Sequence, residues 1–256
     1  MQQIINDLSY QIETSGAGER QALLLHYFGG SGAMWAEVMR RVPGVRCVAP
    51  DLAGFGGSAQ PAEPYTVDQH AADMQALVEQ LVLNSFALVG HSMGGKIAMA
   101  LAALQPPGLR ELILVAPSPP TPEPIAEKDR RRLLNAFGDH DALAAQINGI
   151  TATALPANLQ QQAIEEQLLA AEATWRAWLE DGSREDISAQ LSQITVPVTI
   201  LIGERDESIT ADLVAKAIIP FLTGTTARIS VIADAGHLLP YETPQPIADA
   251  LTDERG

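Results

Sequence analysis

The sequence has one cysteine, few basic side chains and no long hydrophobic run, and each shortage removes a class of protein. Cys47 alone cannot build a disulfide framework, and its setting between Val45 and Val48 reads as a small buried apolar residue rather than a reactive thiol. Lysine and arginine number 16 against 31 aspartates and glutamates, a formal net charge of −15. Such a chain repels nucleic acid phosphates and anionic lipid surfaces, so neither is an expected partner. The one basic run, Lys128, Arg130, Arg131 and Arg132, is interleaved with Glu127 and Asp129 and reads as a solvated helix face. No window approaches the apolar length that crosses a bilayer, and the first residues lack the basic and apolar regions of a signal peptide. The expectation is a soluble, cytoplasmic protein.

What is present suits one α/β domain carrying an insertion: 256 residues, 46% of them hydrophobic, can bury a single sizeable core. Short runs rich in Val, Ile and Leu recur at residues 22–27, 45–51, 86–91, 111–116, 198–203 and 227–233, each ending in small or polar residues. Residues 10–14 add an edge strand. Helical spacing at 67–83 and 93–104, and a short proline-opened helix at 244–251, lie between or after them. This alternation predicts a mostly parallel sheet with crossover helices on both faces. It breaks where Pro117, Pro119, Pro120, Pro122 and Pro124 cluster, and resumes only at Pro197. Helices expected at 128–137, 141–147 and 158–179 make residues 118–190 a helical cap insertion, with 1–117 and 191–256 as the core.

The strongest chemical signal is Gly90-His91-Ser92-Met93-Gly94-Gly95, where a strand hands over to a helix. A serine on so sharp a turn is strained and leaves no room for side chains two residues before or after it, which Gly90 and Gly94 supply. The turn lifts the Ser92 hydroxyl off the sheet edge, and the Met93 amide, at a helix N-terminus, can donate to a developing oxyanion. Two decoys overlap chemistry-like patterns. Gly90, Gly95 and Lys96 match most of a phosphate loop, but Ile97 stands where the magnesium-binding Ser or Thr belongs. Gly54-Phe55-Gly56-Gly57-Ser58-Ala59 matches a dinucleotide fingerprint, but Pro61 and Pro64 block the helix that would receive the pyrophosphate.

A nucleophilic serine needs a base, and the base an orienting acid. Of five histidines, His26 and His91 end apolar strands, His70 lies in a helix and His140 in the insertion, and all four read as structural. His237 follows the strand at 227–233 through Asp234-Ala235-Gly236, at the sheet edge where Ser92 is expected. Glu204, Asp206 and Asp234 compete for the acid. Asp206 is favoured because a short side chain three residues beyond Gly203 reaches a histidine on the next loop.

With these pieces assembled, the chain resembles the α/β-hydrolase fold, in its small esterase, lactonase and haloperoxidase-like branch. The resemblance rests on His26-Tyr27-Phe28-Gly29-Gly30, Asp51-Leu52-Ala53-Gly54-Phe55-Gly56-Gly57-Ser58, the Ser92 turn, Gly203-Glu204-Arg205-Asp206 and Gly236-His237 in that order, over nearly the whole chain. It implies a serine hydrolase in which Ser92, Asp206 and His237 appear in the family's chain order. It implies a second oxyanion amide at Phe28, no metal or organic cofactor, and a mainly structural role for the loop from Asp51 to Ser58. The chain departs from the family at Tyr27, where glycine is usual, and its short N-terminus implies that the usual first edge strand is missing.

The function expected is hydrolysis of a carboxylic ester or close acyl derivative, acting on a small-molecule ester-like substrate through an acyl-enzyme. Dehalogenase and epoxide hydrolase relatives place an aspartate at the nucleophile, which Ser92 argues against. Lactone opening, perhydrolysis and carbon–carbon cleavage use the same three residues and stay open, as do a slow ligand receptor and a partner-binding module. Monomer and homodimer are both left open. Phe137, Trp175 and Trp178 are the expected substrate-binding residues of the insertion, which carries more apolar surface than its own helices can hide.

Overall fold

The computed structural model describes residues 1–6, 8–16, 18–63 and 65–253. In chain order its regular elements are β1 (Gln2–Ile5), β2 (Leu8–Ser15), β3 (Arg20–Leu25), α1 (Ala36–Arg41), β4 (Val45–Pro50), α2 (Val67–Gln80), β5 (Phe86–His91), α3 (Met93–Ala103), β6 (Leu109–Val115), α4 (Glu127–Asn135), α5 (His140–Ile150), α6 (Ala157–Leu168), α7 (Glu172–Glu180), β7 (Val198–Gly203), α8 (Ala211–Ala217), β8 (Ala227–Ile232), α9 (Leu239–Glu242) and α10 (Pro244–Thr252). Among the described residues the strands form one eight-stranded sheet in the order β1-β2-β4-β3-β5-β6-β7-β8. From β4 onward the pairings are parallel, and only β1 with β2 and β2 with β4 are antiparallel.

Every residue of β5 and β7 is buried, and β3 and β6 are buried over their last four residues, as helices on both faces require. α2 and α3 pack together on one face, while α1, α9 and α10 pack together on the other. Helix starts follow local chemistry. Thr66 caps α2 by accepting from the Gln69 amide while the Gln69 side chain accepts from the Thr66 amide, and Asp139 caps α5 by accepting from Asp141 and Ala142. Cys47 is fully buried, and burial pushes its thiol up to about 11.

Three expectations are corrected. The first edge strand is present: Gln2–Ile5 pairs antiparallel with β2, joined through Asn6 in the left-handed region at φ 48°. The helix expected over 158–179 is two, because the Ala171 amide leaves the helical ladder to donate to the Gly54 carbonyl at 2.8 Å, and α7 restarts behind it. The basic run is not wholly surface. Arg130 is 4% exposed, its guanidinium donating to Ser183 Oγ at 2.8 Å, and a solvated-face pattern cannot see the neighbour that covers it.

The segment that carries α4 to α7 is tied to the rest of the chain by polar groups as well as by apolar packing. Lys96, fully buried in α3, donates to the carbonyls of Thr121 (3.4 Å) and Glu185 (2.5 Å), so one ammonium holds the chain both before α4 and after α7. Desolvation lowers that ammonium to about 8. Here the residue that mimics a phosphate-loop lysine has a structural partner set. Glu166 of α6 accepts from the Ser31 amide at 3.2 Å, from the Tyr241 hydroxyl at 3.1 Å and from Gln162 at 2.8 Å, joining the insertion to the loop after β3 and to α9.

Burial raises the Glu166 carboxyl from 4.5 to about 7, further than its hydrogen bonds lower it. The folded protein therefore holds this proton more tightly than the unfolded chain. Its stabilising contribution is complete below about pH 4.5 and is lost as pH rises through about 7. Urea unfolding should show that Glu166→Gln gains stability relative to wild type across this window, on the order of 3 kcal/mol at its upper end. A difference that does not change with pH contradicts this reading.

Candidate active site

Ser92 sits between β5 and α3 at φ 53° and ψ −117°, a backbone state that costs a non-glycine residue roughly 1–3 kcal/mol. The turn is held by its own backbone: the Ser92 amide donates to Val115 at 3.0 Å, and its carbonyl accepts from Gly95 at 2.8 Å and Ser118 at 3.0 Å. The two glycines are sterically required. A Cβ at Gly90 would lie 2.3 Å from the Gly94 carbonyl oxygen, and one at Gly94 would lie 2.4 Å from that of His26. These contacts let α3 start hard against β3 and β5.

His237 and Asp206 arrive from the loops after β8 and β7. His237 Nε2 is 3.0 Å from Ser92 Oγ, and its Nδ1 is 2.7 Å from Asp206 Oδ2. The other Asp206 oxygen accepts from the Ser208 and Ile209 amides at 2.8 and 3.0 Å, which fixes the carboxylate. Burial raises the Asp206 carboxyl, but the charge and hydrogen bond of His237 and the two amides outweigh it and hold the group below its ordinary value. At His237, burial lowers the imidazole, while the Asp206 carboxylate beside it more than offsets that and sets the net shift upward. With the Nδ1 proton given to Asp206, Nε2 is left as an acceptor facing the serine hydroxyl. The group can therefore move a proton from Ser92 to His237 while Asp206 steadies the cation that results.

The rival acids are engaged elsewhere. Asp234 pairs with Arg205, and Glu204 accepts from the Asp234 amide at 3.3 Å, both at exposed positions. The remaining histidines divide. His91 Nε2 donates to the His237 carbonyl at 2.8 Å and so braces the His237 loop from below. His26 Nδ1 donates to the Tyr27 carbonyl at 2.7 Å while its Nε2 accepts from the Leu52 amide at 2.8 Å. His70 is buried and His140 exposed. The fingerprint-like loop folds around Asp51, whose carboxylate accepts from Gly32 at 2.6 Å and Gly57 at 2.7 Å.

Tyr27, the departure from glycine, is accommodated by a glycine further on: a Cβ at Gly30 would lie 2.5 Å from the Tyr27 ring. Its hydroxyl meets Gln167 of α6 at 3.4 Å. Helix α5 also reaches the site, since the His237 amide donates to its Ile150 carbonyl at 2.7 Å. None of these supports leaves a sequence signature beyond a histidine at a strand end.

A cavity of about 830 Å³, within the range of small-molecule sites, opens over Ser92 and His237. Its walls include Tyr27, Phe28, Leu133, Gln146, Trp178 and Leu179, so α4, α5 and α7 all contribute. Of the three aromatic residues expected to meet substrate, Trp178 lines this cavity. Trp175 and Phe137 do not. Trp175 is fully buried behind Phe28, ring centroids 4.3 Å apart, and donates its indole N–H to the Leu133 carbonyl at 3.0 Å; Phe137 packs on Trp175 at 5.9 Å. Their apolar surface is spent sealing helix to core, which composition alone cannot distinguish from lining a pocket. Among the described residues no helix is long and apolar enough to cross a membrane.

The sequence model of the alpha/beta hydrolase family matches residues 22–250. A Bacillus subtilis (strain 168) protein with the provisional name 2-succinyl-6-hydroxy-2,4-cyclohexadiene-1-carboxylate synthase is 24% identical, over 94% of this chain and 93% of its own. Monoacylglycerol lipase abhd6-B of Xenopus laevis is 25% identical, over 90% of this chain and 74% of its own. Among solved structures, an esterase from Exiguobacterium antarcticum superposes with a TM-score of 0.88 at 22% identity, covering 98% of this chain and 97% of its own.

Proposed function

This chain belongs to the alpha/beta hydrolase family, and we propose that within it the protein hydrolyses carboxylic esters or close acyl derivatives through an acyl-enzyme on Ser92. The observation that carries this reading is the continuous hydrogen-bonded line from Ser92 Oγ through His237 to Asp206, at 3.0 and 2.7 Å. Ser92 Oγ bonds to the ester carbonyl carbon as its proton passes to His237 Nε2, and the carbonyl oxygen becomes an oxyanion. Collapse of this adduct expels the alcohol, which takes the proton from His237. Water then repeats the sequence on the acyl-enzyme, releasing the acid and restoring Ser92.

The amides of Phe28 and Met93 hold the oxyanion. Neither has an acceptor among the described residues. The peptide between Tyr27 and Phe28 is planar and trans, and its carbonyl is gripped by His26 Nδ1 at 2.7 Å and the Gly30 amide at 3.0 Å. The Phe28 N–H must therefore point the opposite way, and His26, two residues upstream, is a positioning residue for it. Residues 118–190 act as a cap whose inner wall, Leu133 and Trp178 in particular, selects the substrate.

The relatives support an acyl-type substrate, one being named as a monoacylglycerol lipase. The test is turnover of p-nitrophenyl esters across pH. kcat/KM should rise as His237 loses its proton, with an inflection above the ordinary histidine value of 6.5, because Asp206 raises that group against its burial. An inflection at or below that value contradicts the hold of Asp206 on His237, and no ester turnover, with lactones accepted instead, contradicts the reading.

A further inference from the structure

The cavity over Ser92 has an apolar wall, but its polar equipment is lopsided towards acceptors. Glu123, in the proline-rich segment before α4, borders it together with Ser118 and His237. Glu123 Oε2 is shielded from solvent and has no hydrogen-bond partner. Gln146 of α5 borders the same cavity, and its Oε1 is likewise shielded and unpartnered. Neither Lys96 nor Arg130, the cations whose charge acts on Glu123, gives it a hydrogen bond. Lys96 gives its protons to the Thr121 and Glu185 carbonyls, and Arg130 gives its Nη1 to Ser183 while its Nε also lacks a partner.

A buried acceptor without a donor is costly, so such groups are held in place either by the fold or by what the site binds. The ends of the Gln146 amide can be exchanged by a flip, so that side chain fits a donor or an acceptor. A carboxylate has no such freedom. Glu123 itself is only partly buried and borders the cavity, so a group entering there can meet its carboxylate. Burial raises the Glu123 carboxyl, and the Ser118 hydroxyl, His237, Lys96 and Arg130 all favour its charged form. A substrate ammonium or hydroxyl would complete that set, whereas a substrate carboxylate would meet Glu123 as a like charge, with Arg132, which also borders the cavity, already paired with Asp129 at 3.4 Å.

We propose that this cavity takes esters whose acyl or alcohol part carries a hydrogen-bond donor, a hydroxyl or an ammonium group, and that Glu123 is the specificity-determining acceptor for it. The proposal rests on the reading of Ser92 as nucleophile. A site built to bond a substrate donor discriminates strongly against the analogue that lacks it, because its own acceptor is then left unsatisfied.

The test is kcat/KM for straight-chain p-nitrophenyl esters of graded length ending in methyl, hydroxyl, ammonium or carboxylate, with the matching end groups also placed on the alcohol part. At the best length the wild type should favour a donor-bearing ester over its methyl counterpart by about 10-fold or more, with the carboxylate slowest. Glu123→Gln should abolish an ammonium preference, reduce a hydroxyl preference, and relieve the penalty on the carboxylate, which also tells the two donors apart. Its melting temperature without substrate should be unchanged or raised by about 2–4 °C, since a desolvated charge has gone. An indifferent wild type, an end-group order that survives Glu123→Gln, or a variant that only melts lower with its order intact overturns the proposal. Ser92→Ala separates the two readings: turnover that persists there with the end-group order intact defeats the nucleophile and leaves the role of Glu123 standing.

Discussion

Replacing Ser92 by alanine lowers kcat by on the order of 10⁵-fold or more in folded protein, judged from other enzymes whose nucleophile, base and acid act as one unit. The size follows from the geometry. Ser92 Oγ is the atom that His237 Nε2 faces at 3.0 Å, and among the described residues no other hydroxyl is paired with that nitrogen. The variant keeps its Cβ, so the strained turn at φ 53° and its backbone hydrogen bonds to Val115, Gly95 and Ser118 persist. Thermal melting should therefore stay close to wild type while activity disappears. A variant that retains more than a small fraction of kcat would mean that the hydrolytic water is activated without a covalent step.

Asp206→Asn should cost on the order of 10⁴-fold in kcat, by analogy with the aspartate-to-asparagine change in an unrelated serine protease. The Ser208 and Ile209 amides hold one oxygen of the side chain, so an asparagine there would keep its own oxygen on those amides and turn its NH₂ towards His237 Nδ1. Nδ1 must then accept, which moves the ring proton to Nε2 and leaves nothing to take the proton of Ser92. Glu204→Gln and Asp234→Asn should each change kcat only slightly, since these groups engage one another and Arg205 rather than His237. Steady-state kinetics on the three variants decides the matter. If Glu204 or Asp234 proves costly and Asp206 does not, the acid has been misassigned.

The middle of the sheet was legible because strands such as β5 and β7 are buried on both sides and so stand out as unbroken apolar runs; these two match the ranges read from sequence residue for residue. Ser92 was legible because a strained turn demands small neighbours, and glycines at 90 and 94 are a steric necessity visible in one dimension. What escaped is set by partners distant in the chain. Gln2–Ile5 is too short and too polar to announce a strand until β2 is beside it. The split between α6 and α7 depends on a carbonyl at Gly54, more than a hundred residues earlier. Trp175, Trp178 and Phe137 look alike on a helical pattern, yet only Trp178 faces the cavity. The supports of the site, His26 on the Tyr27 carbonyl, His91 on the His237 carbonyl and Glu166 across the insertion, are polar groups whose purpose exists only in three dimensions. Arg130 misled for the same reason, its burial being conferred by Ser183.

The central claim is that Ser92 is the covalent nucleophile, and stoichiometric labelling with an organophosphonate ester followed by peptide mass mapping tests it most directly. The predicted result is a single adduct on Ser92 that forms in step with loss of activity, is absent in Ser92→Ala and forms far more slowly in His237→Ala. Inactivation with Ser92 unmodified, or an adduct on any other side chain, contradicts the account.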